Sequence, residues 1–139
     1  MHLFNLRVYG LLINQQDQVL LMDEKRFGKS FTKFPGGGLE WGEGLEDCLI
    51  REFREELGLN ITVKKLFYVN PFFVQSAFNT QEQLISFYYL VDSTDSIIHA
   101  TFTDEQPRWC LIESLMKDDL TFQVDKEVVK LLKQKKRGF

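Results

Sequence analysis

Residues Gly37 to Leu59 read GGLEWGEGLEDCLIREFREELGL. Leu45, Leu49, Phe53 and Leu57 recur there at helical spacing and Gly58 supplies a stop, so the stretch predicts a helix over 45–57. The same helix carries Glu52, Glu55 and Glu56 within about one turn. Positions three and four apart on a helix are neighbours, so Glu52 meets both other carboxylates, each like pair destabilising by about 0.2–0.5 kcal/mol. Glu55 and Glu56 also fall in the last turn, where the helix dipole disfavours an exposed anion by roughly 0.3–1 kcal/mol. Arg51, four residues before Glu55, and Arg54 beside it offset part of that cost.

A solvated acidic face accounts for the carboxylates but not for the glycines in front of them. A hard divalent cation accounts for both. Mg2+ takes oxygen ligands, usually one or two carboxylates with substrate phosphates and water. The preceding FPGGG lets backbone approach the same ion and phosphate closely. Such a site suits metal-assisted attack of water on a phosphate.

These residues resemble the Nudix hydrolase family, whose signature runs G-x5-E-x7-R-E-U-x-E-E-x-G-U with U a bulky aliphatic. Gly37, Glu43, Arg51, Glu52, Glu55, Glu56, Gly58 and Leu59 fall on it in register. Phe53 departs from it, aromatic where an aliphatic is usual, and since that position faces the core the question it raises is one of packing. The resemblance implies an α+β fold, a Nudix-type α/β/α sandwich with a mixed β-sheet between helices. It further implies a MutT-like pyrophosphohydrolase, dependent on Mg2+ or Mn2+, acting on a nucleoside diphosphate linked to another group. Carried over by position, Glu52, Glu55 and Glu56 are the implied metal ligands and catalytic carboxylates, joined by the Gly36 carbonyl. Gly37, Gly38 and Arg51 are implied at the substrate, and Glu43 with Arg51 is implied to brace the loop against the helix. Glu105, in TDEQPRW, matches a further acidic position that binds metal or acts as base, with Asp104 and Glu82 as alternatives.

Outward from the motif, residues 3–13 and 19–22 read as strands joined by the turn NQQDQ into a hairpin, while the glycines of 36–44 interrupt regular structure. Residues 61–69, 72–78, 84–91 and 107–112 read as further strands, and 124–136 as a second, amphipathic helix with outward lysines. With no repeat and no linker, this order points to one domain with one mixed sheet covered by helices. The chain has 139 residues, 44% of them apolar and 27% charged, which suits a packed globular domain rather than disorder.

The net charge of -3 gives no electrostatic reason to bind nucleic acid or an anionic membrane. Cys48 and Cys110 are isolated, as expected of reduced thiols in a cytoplasmic protein, and His2 and His99 receive no role. The N-terminal apolar run is interrupted by Arg7 and has no small-residue cleavage site, unlike a signal peptide, and no run reaches the roughly 18 apolar residues of a membrane span. Phe67, Tyr68, Phe72, Phe73, Phe78, Phe87, Tyr88 and Tyr89 stand as either core or base-stacking rings, and their exposed part as a homodimer interface. Gln75, Asn79, Gln81 and Gln83 are surface polars or contacts to a base or ribose, while Trp109, Asp118 and Asp119 match a region that faces the base in triphosphate-cleaning relatives. Nucleotide sugars and nucleoside triphosphates are the expected small-molecule substrates. The alternative is a non-catalytic Nudix-like nucleotide-binding or regulatory module, which typically carries a degraded motif; this motif is intact.

Overall fold

In the computed structural model the described residues are 1–95, 98, 100 and 102–135, so His99 and the end of the basic tail lie outside them. The expected first helix forms at Leu45–Leu57 (α1). It ends on Gly58 at φ 65°, whose N–H bonds the Arg54 carbonyl while the N–H of Leu59 reaches that of Phe53. That is a left-handed glycine stop satisfying carbonyls the helix leaves free.

Before α1 come β1 (Leu3–Leu12), β2 (Gln18–Arg26), β3 (Lys29–Lys33) and β4 (Gly36–Gly38). After it come β5 (Ile61–Val69), β6 (Glu82–Ser93), β7 (Glu105–Leu111), a 3-10 turn at Lys117–Asp119, and α2 (Gln123–Gln134). The strands form two sheets, ordered β4-β1-β6-β5 and β3-β2-β7. The first is mixed: β1 runs parallel to β6 and antiparallel to β4.

The central strands β1, β2 and β6 are buried on two sides, which explains their apolar runs. Val8, Leu12, Leu20 and Met22 face Cys48, Leu49, Phe53 and Leu57 of α1. The alternate residues Leu11, Val19 and Leu21 face Val124, Val128, Val129 and Leu132 of α2. Helix, sheets and helix thus give the α/β/α layering. Phe53 is fully buried, and its ring occupies the space over Gly10, where a Cβ would lie 2.5 Å from it. Gly10 is what admits an aromatic here.

Several sequence expectations are corrected. β1 and β2 touch through a tight turn and a single Ile13–Val19 bridge, then part into separate sheets, so they are not a paired hairpin and the sheet is not single. The glycines of Gly36–Gly38 do form a strand, because β1 offers an edge and glycine lets the two backbones close up. Segment 72–78 is a loop with only a Gln75–Gln83 bridge: Asn70 bonds the carbonyls of Phe72 and Leu84, and Phe73 and Phe78 stay exposed. β3 went unanticipated, and the end of the predicted second helix, residue 136, lies outside the described residues. Among those residues no helix is long and apolar enough to cross a membrane.

Candidate functional site

The three glutamates project from the last turns of α1, and two of them, Glu52 and Glu55, share one organiser, Arg51. Its Nε and Nη2 donate to the two carboxylate oxygens of Glu43 at 3.0 and 2.7 Å, a bidentate pair. Nη2 also donates to the Gly38 carbonyl at 3.1 Å, and Nη1 to Glu52 at 2.9 Å and Glu55 at 3.2 Å. Arg51 therefore ties the glycine strand, the loop and the acidic turn together. The hydrogen bond from Arg51 pulls the Glu43 carboxyl down to about 2, and that partnership in turn pushes Arg51 further up.

Glu52 lies against β4. A Cβ on Gly37 would fall 2.4 Å from its Cδ, so only glycine leaves room for this carboxylate. Gly36, at φ 148°, has Val8 O where a Cβ would be, 2.1 Å away. Glu55 stays exposed, whereas Glu56 is 7% exposed and its Oε2 is buried without a hydrogen-bond partner. Burial pushes the Glu56 carboxyl up to about 9; Lys33 opposes the shift, and Glu52 and Glu105 add to it. Glu105, at the start of β7, also has a buried, partnerless Oε2 and is raised by burial. Sequence neighbours Glu52 and Glu56 are thus joined electrostatically by a residue from the far end of the other sheet.

Buried carboxylate oxygens without partners are costly, and they fit a cation that would neutralise and ligate them. The donors are all hard oxygens, the set that suits Mg2+. Among the described residues no three His, Cys, Asp or Glu side chains are already gathered at metal-holding geometry, and Arg51 bonds both Glu52 and Glu55.

Beside this acidic cluster opens a cleft of about 340 Å3. Its floor is the row Asn5, Arg7 and Tyr9 on β1 with Ser86 and Tyr88 on β6. Lys33 reaches in from β3, paired with Glu24 at 3.2 Å. At one end three elements meet through rings: Phe31 stacks on Phe122 at 5.6 Å, Phe78 sets its edge against both, and Arg26 lies 4.6 Å over Phe78. Deeper, the hydroxyl of Tyr88 donates to Asp125, a buried carboxyl that burial raises to about 7.

The expected site residues are therefore distributed over two regions. Glu52, Glu56 and Glu105 form one acidic group with Glu55 at its rim. Gly37, Gly38 and Arg51, expected at the substrate, support that group and do not line the cleft. Of the aromatic candidates, Phe78 and Tyr88 line it, as does Gln75. Trp109 packs against the α1 core, Asp118 pairs with Lys126 at 3.4 Å and Asp119 accepts from the Met116 N–H at 2.9 Å; none of the three lines the cleft. Sequence reasoning missed Arg7, Lys33 and Asp125. The one signal was Arg7 itself, a cation inside an apolar strand.

A family model, the NUDIX domain, matches residues 3–132. The chain is 33% identical over 87 residues to an uncharacterized Nudix hydrolase, YvcI, of Bacillus subtilis, covering 63% of this chain and 54% of that protein. It is 43% identical over 56 residues to an RNA pyrophosphohydrolase of Shewanella denitrificans, covering 40% of this chain and 31% of that one. The chain spans about half the length, or less, of these curated relatives. Its fold is similar to that of a MutT NUDIX hydrolase from Burkholderia pseudomallei, with TM-score 0.76, 19% identity and 91% and 96% of the two chains covered. A MutT protein from Methanosarcina mazei Go1 superimposes with TM-score 0.74 at 16% identity, covering 94% of each chain.

Proposed function

Since the chain belongs to the Nudix family, we propose that it is a metal-dependent hydrolase of a phosphoanhydride in a nucleoside diphosphate derivative, most simply a nucleoside triphosphate or nucleotide sugar. The observation that carries this reading is the pair of buried, partnerless oxygens, Glu56 Oε2 and Glu105 Oε2, beside an aromatic-ended cleft. Glu52, Glu55 and Glu56 would hold Mg2+ or Mn2+, with the Gly36 carbonyl as a further oxygen donor. The ion, when bound, lowers the pKa of a water and neutralises charge on the transferring phosphate.

The chain's own residues supply the rest. Gly37 leaves the Glu52 carboxylate its space, and Arg51, braced by Glu43, fixes the orientation of Glu52 and Glu55. We assign the proton released as water attacks phosphorus to Glu105 Oε2, whose burial raises its affinity for a proton. Attack forms the new P–O bond and breaks the bridging P–O bond, and the departing phosphate carries the bridging oxygen away. The rings of Phe31, Phe78 and Phe122 offer stacking surface to a base, worth about 1–3 kcal/mol per base where measured.

The test is hydrolysis of nucleoside triphosphates, 8-oxo-dGTP, ADP-ribose, nucleotide sugars, dinucleoside polyphosphates and a 5′-triphosphorylated RNA, with Mg2+, with Mn2+ and with EDTA. Turnover should require the metal and fall on the order of 100-fold or more in Glu56→Gln. Folded protein that turns over nothing on the panel would make the chain a nucleotide-binding module instead.

A further inference from the structure

Among the described residues three cations line the cleft, and they differ in their partners. Lys33 pairs with Glu24 at 3.2 Å, and Arg26 lies 4.6 Å over the Phe78 ring. The Nε of Arg7 donates to the Tyr9 hydroxyl at 3.1 Å, but among the described residues its guanidinium makes no ion pair, and neither terminal nitrogen donates to the protein. Glu52, Glu56 and Asp125 are neighbouring carboxyls that do not contact it. A half-buried charge without an ion-paired anion is uncommon, because desolvating it is costly unless an anion or several acceptors replace water. Arginine cannot escape that cost by losing its proton.

The position of Arg7 says which anion fits. In the sheet Arg7 stands opposite Gly38 on one side and Ser86 on the other. Its Nη1 lies 3.2 Å from where a Cβ on Gly38 would be, so the absent side chain leaves the guanidinium room. Towards β4 it has Glu52 and Glu56 as neighbouring charges; towards β6 it shares the cleft with Ser86, Tyr88 and the aromatic end. It stands between the acidic group and the rings.

Resting on the reading of the site as a nucleotide hydrolase, we infer that Arg7 is a substrate-contacting residue. Its two free nitrogens take oxygens of the phosphate that stays on the nucleoside side of the broken bond. A planar fork with two outward N–H groups matches two phosphate oxygens, which a lysine ammonium does not. The contact is independent of the ion at the acidic group, so the nucleoside monophosphate part binds without metal, and Arg7 governs KM more than kcat.

The experiment is calorimetric titration in EDTA of wild type, Arg7→Met, Arg7→Gln and Arg7→Lys. The probes are the four common nucleosides, their monophosphates and triphosphates, and pyrophosphate. The preferred nucleoside monophosphate should bind wild type on the order of 10-fold more tightly than its nucleoside. That increment should vanish in Arg7→Met and Arg7→Gln and return in part in Arg7→Lys, while circular dichroism and melting show each variant folded. With Mg2+ and a substrate that turns over, KM should rise on the order of 10-fold or more, with kcat within a few-fold. A purely structural Arg7 would move the melting temperature and leave the phosphate increment alone, which overturns the inference. So does a wild type that hydrolyses its substrate with metal but binds no phosphate-bearing probe without it. An Arg7-dependent increment in a protein that hydrolyses nothing would defeat the enzymatic reading and keep this one.

Discussion

A Cβ built on Gly37 lands 2.4 Å from Cδ of Glu52 and 2.5 Å from each of its oxygens, while one built on Gly36 lands 2.1 Å from the backbone oxygen of Val8. The two glycines therefore serve different ends. At Gly36 nothing yields, because the obstacle is a neighbouring strand and φ is 148°. At Gly37 the obstacle is the tip of a flexible side chain, so a methyl group displaces the carboxylate and leaves the strand in place. Gly37→Ala should keep its cooperative unfolding and lose activity on the order of 100-fold, the cost typical of moving a reacting group by about 1 Å. Kinetics with Mg2+ beside a urea melt check this, and activity within twofold of wild type would show that Glu52 does not need its present position. Phe53 answers in the same terms: the ring fits because Gly10, beneath it in β1, has no side chain.

α1 was readable from sequence because everything that makes it is local: apolar positions at helical spacing, a glycine before and a glycine after. The Gly58 stop sits at φ 65°, and an L-residue there costs about 1–2 kcal/mol. Gly58→Ala should lower stability by about that amount in urea unfolding while folded molecules keep their turnover; unchanged stability would mean the chain leaves the helix another way. The carboxylates on this helix were legible for the same reason. The cleft was not, since its walls come from β1, β3, the loop around Phe78, β6 and α2, brought together only by sheet topology. Segment 72–78 shows the limit most clearly. Its aromatic alternation suits a strand, but a strand is made by a partner, and here pairing with β6 stops at the single Gln75–Gln83 bridge while Asn70 takes the carbonyls of Phe72 and Leu84. Conversely, three consecutive glycines look like a break until β1 supplies an edge for them.

At the scale of the whole molecule, Asp125 joins parts that are distant in sequence. It belongs to α2, accepts the Tyr88 hydroxyl from the mixed sheet and a backbone bond from Phe34 between β3 and β4, and has Lys33 and Arg7 as neighbouring charges. Burial raises its carboxyl to about 7, against roughly 3.9 for an unfolded aspartate. The sign follows from proton counting. Between those two values the folded protein holds a proton that the unfolded chain has released, so stability contributed by this group is complete below about pH 4 and is lost as pH rises towards 7. Three pH units at 1.36 kcal/mol each set the loss at about 4 kcal/mol, and a group this deeply buried gives little reason to discount it for solvent. Asp125→Asn cannot ionise, so its stability relative to wild type should improve steadily between pH 4 and pH 7 and level off above. Urea unfolding of both proteins across that range gives the difference directly, with shared titrations such as that of Glu43 cancelling. Parallel curves would mean that Asp125 is charged throughout and is paid for by Lys33 and Arg7. In that case Arg7 would already own an anion, and the cleft would have less need of a phosphate.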